Sequence, residues 1–263
     1  MMDYQDIIYE KEGRIAILTL NRPEVMNAYT RKMVREIADA LDDAARDDDI
    51  RGLIITANGR GFCTGVNNKD TEAERTGVRS IVRHELRLYP AMQRLWDFDK
   101  PTICAMNGMT AGAGTALAMV CDVRIASNQA KFLLVWARRG MVPDNGASYF
   151  LVRHLSLSKA YELTYSGDDI DAVEMLRIGL VSKVVPHDDL IKEAKALALH
   201  LTKGSPIATQ LSKHLIRRAI VEQDLYMQME LEGSFQRIAT KTEDFKEMAE
   251  AVKEKREPNF KGK

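Results

Sequence analysis

A strand, helix, strand pattern near the amino terminus constrains the fold of this chain more than any other feature. RIAILTL (Arg14–Leu20) and GLIITA (Gly52–Ala57) are short apolar runs typical of buried strands. Between them, TRKMVREIADALDDAARDD has apolar residues at helical spacing, and Thr30 is placed to cap its start. A helix that joins two strands implies parallel pairing in a sheet that is buried on both faces. We therefore predict an α/β fold.

Later apolar runs extend this prediction. PTICAMNG (Pro101–Gly108) and CDVRIAS (Cys121–Ser127) predict two more buried strands. From about Ser158 onward the apolar spacing is helical almost throughout, which predicts a helical layer without further strands. The chain has 263 residues, 45% of them hydrophobic, and no Pro/Ser/Gly-rich linker. We expect a core of residues 1–200 and a helical region of residues 201–263 that packs on this core or on a neighbouring subunit.

Charge and cysteine content argue against several kinds of partner. Lys plus Arg equals Asp plus Glu at 38 each, so no net field favours nucleic acid or an anionic membrane. The three cysteines have neither CxxC spacing nor a nearby histidine pair, which argues against a disulfide framework and a metal site. No apolar run approaches the roughly 20 residues that span a bilayer, and the amino terminus lacks the apolar segment of a secretion signal. We expect a cytoplasmic protein with a small-molecule partner.

Two glycine-containing loops that follow predicted strands are candidates for chemistry. They are NGRGFCTGVNNKD (Asn58–Asp70) and MNGMTAGAGTALAM (Met106–Met119). Ligands of open α/β sheets collect beyond the carboxyl ends of strands, where glycine turns let backbone N–H groups point at an anion. The absence of GxGxxG, GxxxxGK(S/T) and GxSxG motifs argues against a nicotinamide enzyme, a nucleoside triphosphatase and an α/β-hydrolase. Each loop taken alone is explained as well by tight turns and close helix packing.

Taken in order, however, these loops and their neighbours resemble one family over essentially the whole chain. The crotonase superfamily, also called the enoyl-CoA hydratase/isomerase family, is similar to this sequence in RPEVMNAYT, GFCTGVNNK, MNGMTAGAGTALAMVCDVRIAS, GMVPDNGASYFLVRHL, AVEMLRIGLVSKVVP and the tail EDFKEMAEAVKEKREPNFKGK. The resemblance implies a crotonase-like spiral of repeated ββα units with a helical C-terminal trimerisation region. It also implies an acyl-CoA thioester as substrate, so coenzyme A arrives as part of the substrate and no separate cofactor is expected.

The resemblance also implies an oxyanion hole, in which two backbone N–H groups hold the thioester carbonyl. It assigns these donors to Val66 and Ala113. The paired glutamates of the hydratases correspond to Ala116 and Trp136, neither of which exchanges a proton. A two-carboxylate hydration is therefore not expected, because the addition of water needs both a base and an acid. Asp144, in VPDNGASY, stands where isomerases of the family commonly have a catalytic aspartate.

A single aspartate beside an oxyanion hole implies an isomerase-type shift of a double bond, with Asp144 as acid and base. Its alternative role is a helix N-cap. We predict that Trp136 shapes an acyl pocket with Met109, Phe132 and Leu133. Burial in the apolar core is the alternative role of Trp136.

Other reactions stay open. Trp136 and Asp144 also resemble the pair in 4-chlorobenzoyl-CoA dehalogenases, in which the aspartate attacks the substrate ring and the tryptophan hydrogen-bonds the aspartate. His84, in SIVRHELRL, would then activate water, as it would in a hydrolase of the same superfamily, unless it is a solvated surface histidine. An atypical enoyl-CoA hydratase and a catalytically silent CoA-ester binder are further alternatives.

The contacts to coenzyme A and the assembly also follow from the resemblance. It implies a homotrimer or a dimer of trimers, in keeping with the helical last third of the chain and its Met-rich stretch DLYMQMELE. Solvated lysines and a packed phenylalanine are the alternative to the CoA contacts in the tail. The predicted CoA-binding residues, the last of them reached from the tail or from another subunit, are Arg22, Val25, Ala28, Asn67, Asn68, Lys69 and Phe260.

Overall fold

The computed structural model describes residues 4–66 and 90–263. Within these ranges the strands are β1 (Ile7–Glu12), β2 (Ile15–Leu20), β3 (Gly52–Ala57), β4 (Gly61–Cys63), β5 (Thr102–Met106), β6 (Met109–Ala111), β7 (Val123–Ser127), β8 (Lys131–Leu133), β9 (Asp169–Asp171) and β10 (Lys183–Val185). The α-helices of the same ranges are α1 (Arg31–Arg46), α2 (Pro90–Trp96), α3 (Ala113–Val120), α4 (Ala147–His154), α5 (Leu157–Ser166), α6 (Ala172–Arg177), α7 (Leu190–Leu201), α8 (Pro206–Ala219), α9 (Leu225–Ala239) and α10 (Glu243–Glu254). His84 and the segment from Asn67 to Lys69 lie outside the described residues.

The strands of the described residues form two sheets, and the chain alternates between them. One sheet has the order β1-β2-β3-β5-β7-β10 and the other has the order β4-β6-β8-β9. Three times in succession, a strand of the six-stranded sheet is followed in the chain by a strand of the four-stranded sheet: β3 by β4, β5 by β6 and β7 by β8. The strands β3, β5 and β7 pair in parallel, as do β4, β6 and β8. Helix α3 follows the second pair, so the chain advances as a spiral of ββα units.

Apolar side chains on both faces of the six-stranded sheet explain its position inside the molecule. All six residues of β3 are buried. On one face Leu18, Leu53 and Ile55 join the main core, which helix α1 covers, while Ile17 and Ile54 face helix α7 on the other. Burial of each such side chain contributes about 1.5–3 kcal/mol. This double burial is what the continuous apolar runs in the sequence predict.

The structure confirms the strand, helix, strand unit and the two later strands. Strands β2 and β3 are parallel in the register Ile15 to Gly52, and α1 lies between them in sequence. Thr30 caps α1, because its side-chain oxygen accepts a hydrogen bond from the Met33 N–H at 2.9 Å. The α/β fold class is therefore confirmed. The predicted division at residue 200 stays a prediction, although helix α7 ends at Leu201.

The prediction of an entirely helical last third is wrong at two places. Strand β9 pairs antiparallel with β8, and β10 adds a parallel strand beside β7. Each has three residues, so neither is long enough to show an alternating apolar pattern. Their partners, which are distant in sequence, stabilise them as strands. No helix among the described residues is long and apolar enough to cross a bilayer.

A buried arginine and a histidine close the carboxyl end of helix α3. The Arg124 guanidinium donates to the carbonyls of Cys121 (2.7 Å) and Met119 (3.3 Å), which the last turn of a helix leaves without partners. The His154 ring contacts the Met119 carbonyl through Nε2 at 2.9 Å and Arg124 through Nδ1 at 3.4 Å. Burial and the nearby Arg124 charge lower the pKa of His154 from 6.5 to about 4. His154 is therefore neutral at neutral pH.

This histidine predicts a pH-dependent stability. Between pH 6.5 and about 4 the unfolded chain binds a proton at position 154 that the folded chain does not bind. The free energy of unfolding should therefore fall as the pH falls through this window, by up to about 1.4 kcal/mol per pH unit from this group. His154→Gln should remove this part of the slope, which urea unfolding at several pH values measures for both proteins. Parallel curves for the two proteins would contradict the assignment.

Candidate active site

Three segments meet where the parallel strands β4, β6 and β8 end. The first follows β4 and contains Gly65 and Val66, and the second follows β6 and contains Gly112 and Ala113. The third follows β8 and contains Trp136. The carboxyl ends of neighbouring parallel strands lie at one edge of a sheet, so the pairing of β4 with β6 and of β6 with β8 brings the three segments together. This edge is where a ligand of an α/β protein is expected.

Two glycines let the first two segments lie backbone against backbone. A β-carbon at Gly108 would lie 2.1 Å from the Arg60 carbonyl oxygen, and one at Gly114 would lie 2.1 Å from the Cys63 carbonyl oxygen. Both distances are far inside van der Waals contact, and backbone atoms cannot move aside as a side chain can. Larger residues at positions 108 and 114 would therefore separate the two loops.

The same approach brings the Gly65–Val66 turn against the start of α3, so the backbone N–H groups of Val66 and Ala113, the predicted donor pair, belong to neighbouring turns. Gly65 and Gly112 both have positive φ, +98° and +52°, and the β-carbon position of Gly65 lies 3.5 Å from the Ala113 nitrogen. Ala113 is the first residue of α3, where a helix leaves its N–H without an internal partner. Among the described residues, neither the Val66 nor the Ala113 N–H donates to another backbone carbonyl. The pair can therefore receive an oxygen atom of a ligand.

The segment before α1 holds the Val66 turn from the other side. The Tyr29 N–H donates to the Gly65 carbonyl at 2.7 Å, and Tyr29 forms a parallel bridge with Val66. The fully buried Asn27 side chain donates to the carbonyls of Asn58 and Gly61, at 2.9 and 2.8 Å. Sequence reasoning missed both supporting residues. The only signal available was a polar Asn27 beside the aromatic Tyr29 within RPEVMNAYT.

Trp136 and Asp144 are in direct contact. The Trp136 indole N–H donates to the Asp144 Oδ1 at 3.2 Å, and the Trp136 side chain is 3% exposed. A tight turn folds the chain back between them, because the Met141 N–H donates to the Trp136 carbonyl at 3.0 Å. The indole orients the carboxylate through one oxygen. Asp144 is half-buried, and no hydrogen bond from another described residue reaches its second oxygen.

The alternative role of Asp144 as a helix N-cap does not describe its side chain. Helix α4 begins at Ala147 with Gly146 as its cap residue, and no side chain caps it. Only the Asp144 carbonyl contributes, as it accepts a hydrogen bond from the Ala147 N–H at 2.8 Å. Asn145 and Gly146, both with positive φ, turn the chain between the carboxylate and the helix.

The third segment also lies against the Gly112 turn that precedes Ala113. A Val135 methyl group lies 3.7 Å from the β-carbon position of Gly112. Val135 directly precedes Trp136, and the Trp136 indole holds Asp144. Two adjacent residues therefore contact the Gly112 turn on one side and the carboxylate on the other. The structure thus brings together Val66, Ala113, Trp136 and Asp144, which come from three separate stretches of the sequence.

The predicted pocket residues are distributed more widely. Phe132 is 1% exposed and belongs to the main core, as does Trp136, so burial describes both aromatic rings. Met109 and Leu133 are partly exposed at opposite ends of their three-residue strands. Met109 begins β6, whereas Leu133 ends β8 at the edge that carries the N–H pair. A role of these four side chains in binding an acyl group stays a prediction.

Part of the predicted CoA region lies beside the site. Arg22, Val25 and Ala28 form one compact turn, in which the Ala28 N–H donates to the Val25 carbonyl and the Arg22 guanidinium donates to the Ala28 carbonyl at 3.3 Å. Tyr29, the residue after Ala28, joins this turn to the Val66 segment through its hydrogen bond to the Gly65 carbonyl. The turn is therefore placed to contact a ligand that extends away from the N–H pair.

Phe260 lies beside Arg51, at the end of β3 that is remote from the N–H pair of its own chain. Its carbonyl accepts a hydrogen bond from Arg51, which directly precedes β3. Arg51 is therefore at the amino end of a strand whose carboxyl end leads to the site. A contact of Phe260 with coenzyme A from the tail of its own chain stays a prediction. A contact with the site of another subunit stays a prediction.

A large cavity elsewhere in the molecule is separate from this edge. It measures about 700 Å³ and is lined by Met119 and Cys121 at the carboxyl end of α3, by His154, and by Lys213 and Ile216 of α8. The N–H pair lies at the opposite, amino end of α3. The cavity therefore does not contain the candidate active site.

The geometry permits one kind of chemistry well. Two N–H groups at the amino end of a helix stabilise negative charge on an oxygen, and a held carboxylate nearby accepts or donates a proton. Burial raises the pKa of the adjacent Cys63 thiol to about 12, so this thiol is neutral at neutral pH. The arrangement suits reactions that pass through an oxyanion.

Comparisons with known proteins agree with this architecture. Residues 10–263 match the family described as enoyl-CoA hydratase/isomerase. The sequence is 36% identical to a 1,2-epoxyphenylacetyl-CoA isomerase of Escherichia coli, over 100% of both chains. It is 34% identical to a 2,3-dehydroadipyl-CoA hydratase of the same organism, over 98% of this chain and 99% of the relative. A crystal structure of an enoyl-CoA hydratase from Bacillus anthracis superposes with a TM-score of 0.93 at 29% identity, covering 98% of this chain and 100% of that one.

Proposed function

The chain belongs to the enoyl-CoA hydratase/isomerase family, and we propose that it shifts a carbon–carbon double bond within an enoyl-CoA thioester. The observation that carries the proposal is the hydrogen bond from the Trp136 indole to the Asp144 carboxylate. Trp136 directly follows Val135, which lies against the Gly112 turn before Ala113. Solved relatives with the crotonase fold share the whole architecture. The two positions that correspond to hydratase glutamates hold Ala116 and Trp136, both buried.

The first step uses the N–H pair. The thioester carbonyl oxygen accepts hydrogen bonds from Val66 and Ala113, and removal of a proton from carbon 2 converts it into an enolate oxygen. Fixed donors stabilise this charge more in the transition state than in the ground state, which lowers the barrier. Because both donors belong to the backbone, the identity of the Val66 side chain matters little.

Asp144 carries the proton. In a 3-enoyl-CoA the carboxylate takes the proton from carbon 2, and the negative charge spreads over the dienolate. The protonated carboxyl then returns a proton to carbon 4, and the double bond moves from carbon 3 to carbon 2. Water is neither consumed nor released, so Ala116 and Trp136 at the positions of the hydratase glutamates are no obstacle. Asp144 ends the cycle as the carboxylate with which it began.

Isotope labelling tests this reaction. With trans-3-hexenoyl-CoA in heavy water, the 2-enoyl product should carry deuterium on carbon, and in ¹⁸O-labelled water it should carry no label. Mass spectrometry of the CoA ester reads both outcomes. Stoichiometric ¹⁸O in the product would instead mean hydration or hydrolysis, and no conversion of any member of a panel of enoyl-CoA esters would favour a silent binder.

The Trp136 to Asp144 hydrogen bond also supports a second candidate, an aspartate nucleophile like that of the dehalogenases. An indole donor stabilises the ionised carboxylate that attacks a substrate carbon. The water-activating residue proposed for that reaction, His84, lies outside the described residues. Incubation with 4-chlorobenzoyl-CoA followed by rapid acid quench distinguishes the candidates, because a nucleophile leaves an aryl group on Asp144 and a proton carrier leaves it free.

For the nucleotide end of the substrate we propose the turn of Arg22, Val25 and Ala28 and the segment from Asn67 to Lys69. The turn leads directly into Tyr29, whose N–H donates to the Gly65 carbonyl of the Val66 loop, so it lies next to the proposed oxyanion site. The Arg22 Nε also lies 3.8 Å from a carboxylate oxygen of Asp6 and 3.8 Å from one of Glu24. These negative charges offset part of the attraction of Arg22 for a phosphate. Loss of one cation should therefore weaken binding only modestly.

We also propose that the chain forms a trimer or a dimer of trimers. Helices α8 and α9 contain no buried residue, although they carry large apolar side chains. In α9 the exposed fractions are 68% for Leu225, 78% for Tyr226, 60% for Met227 and 54% for Met229. Contiguous exposed apolar surface of this kind marks contact with another chain.

Sedimentation tests the assembly. At micromolar concentration the mass should be three or six times 29.6 kDa. Replacing both Tyr226 and Met229 by Glu should shift the mass toward the monomer, because a charge in an apolar interface loses its hydration. The exposed change Lys192→Glu on helix α7 serves as the control. A wild-type monomer would contradict the proposal.

A further inference from the structure

Arg124 is a buried cation that the proposed reaction does not use. It is 7% exposed and lies directly after Val123, the first residue of β7. Among the described residues it has no carboxylate in hydrogen-bond contact. Its guanidinium instead donates to the carbonyls of Leu180 (2.7 Å), Cys121 (2.7 Å) and Met119 (3.3 Å). Hydrogen bonds to neutral carbonyls leave its positive charge intact.

The surroundings of Arg124 are positive overall. Asp122 is 27% exposed and pairs with Lys213 at 2.7 Å and Arg217 at 3.2 Å. Three cations therefore accompany one carboxylate at the carboxyl end of helix α3. The His154 ring, 3.4 Å from Arg124, is neutral at neutral pH. Of the cations, only Arg124 is both buried and without a carboxylate partner.

Helix α3 joins this charge to the oxyanion site. Its eight residues run from Ala113, whose N–H belongs to the donor pair, to Val120, and every one of them is buried. At about 1.5 Å per residue the two ends are roughly 12 Å apart. The path between them is packed side chain and backbone, so water screens the interaction little.

We propose that Arg124 is a positioning residue that favours the reaction electrostatically, through helix α3, by stabilising the negative charge that develops on the thioester oxygen at Ala113. The inference rests on the proposed enolate chemistry of the site. The guanidinium also satisfies the last carbonyls of α3 and so keeps the helix, with its N–H donor, in place. Charge and support come from the same group, and the experiment must separate them.

The size of the effect follows from the distance. A unit charge at roughly 12 Å, in surroundings with an effective dielectric constant of about 20, changes a rate by roughly five- to tenfold. This is smaller than the loss of an oxyanion donor but large enough to measure. It should appear in kcat, because the charge forms in the transition state, while KM should stay within about twofold.

Two substitutions at position 124 separate charge from support. Arg124→Gln loses the charge, and Arg124→Lys keeps it while losing the forked hydrogen bonds. With trans-3-hexenoyl-CoA at pH 6.5, kcat should fall about five- to tenfold in the Gln variant and stay within about twofold in the Lys variant. Melting temperatures should fall in both. Equal losses of kcat in the two variants would overturn the proposal.

A third variant should change kcat in the opposite direction, and this test does not depend on whether Arg124→Gln folds. Asp122→Asn removes a negative charge from the same end of α3 while its side-chain oxygen can still accept from the Thr102 N–H, now at 2.8 Å. It should destabilise the protein and yet raise kcat, by about 1.5- to threefold since Asp122 is partly exposed. A kcat that falls together with the melting temperature would contradict the electrostatic role.

A spectroscopic measurement distinguishes failure of this inference from failure of the proposed function. The infrared carbonyl band of butyryl-CoA, labelled with ¹³C at the thioester carbon, should move to lower frequency on binding to the wild type, less in Arg124→Gln, and as in the wild type in Arg124→Lys. If the wild type does not convert the enoyl-CoA but still lowers the carbonyl frequency, only the proposed double-bond migration is rejected. An identical shift in all three proteins would reject the role of Arg124.

Discussion

Asp144→Asn should abolish conversion of trans-3-hexenoyl-CoA while leaving CoA-ester affinity nearly unchanged. The amide has the shape of the carboxylate and its side-chain oxygen can still accept the Trp136 N–H, which now donates at 3.2 Å. It cannot take a proton at neutral pH, however. Loss of a general acid and base costs about 10²- to 10⁴-fold in rate. Stopped-flow absorbance would measure kcat, and calorimetric titration with butyryl-CoA would measure Kd.

Asp168→Asn is the matched control. Asp168 is a 63% exposed carboxylate that pairs with Arg138, outside the site. Its loss should change kcat by less than about twofold, because exposed ion pairs contribute little. If Asp144→Asn keeps wild-type turnover of the substrate, the base lies elsewhere. If it loses both turnover and affinity, the substitution has disturbed the binding site as well as removed the base.

Ala113→Pro should lower kcat by about 10²- to 10³-fold, because proline has no N–H to offer the oxyanion. The proline Cδ also takes the place of the hydrogen that would face the substrate oxygen, which acts in the same direction. Ala113 is the first residue of helix α3, where proline fits the backbone and no internal hydrogen bond is lost. The N–H removed is therefore the one the site would use. Hydrogen–deuterium exchange of butyryl-CoA at carbon 2 provides a second readout, since enolate formation needs the same donor.

Two further variants control for the substitution. Leu157→Pro places proline at the first position of α5, a 59% exposed site, and should leave both fold and kcat near wild type. Val66→Ala keeps the second backbone donor and changes only a side chain, so kcat should stay within about twofold. Equal activity of Ala113→Pro and Val66→Ala would remove Ala113 from the oxyanion hole.

The two predictions also test each other. If Ala113→Pro abolishes turnover and Asp144→Asn does not, the oxyanion hole works with a different base. If the reverse holds, the carboxylate acts without a stabilised enolate, as an attacking nucleophile would in the second candidate reaction. Both losses together, with deuterium on carbon and no oxygen label, fit only the proton transfer through an enolate.

Local chemistry accounts for the parts of the fold that were predictable. Strands β2 and β3 are long enough to show an apolar run, and Thr30 is a helix cap because its side chain needs only the next turn of its own helix. The strands β4, β6, β8 and β9 have three residues each and were missed. Such short segments have no period to detect, and their hydrogen bonds go to partners distant in sequence. Neighbours in space decide that they are strands.

The sequence by itself determined the family, the α/β class and the residue types of the site, because motif order, apolar periodicity and glycine positions are local properties of the chain. Tertiary structure alone decided that Gly114 approaches Cys63, that Trp136 donates to Asp144, and that Phe260 lies away from the site of its own chain. Each of these is a contact in space between separate segments, set by how the two sheets pair and how the helices cover them. Side-chain identity fixes what a group can do, but only the packed backbone fixes which groups meet.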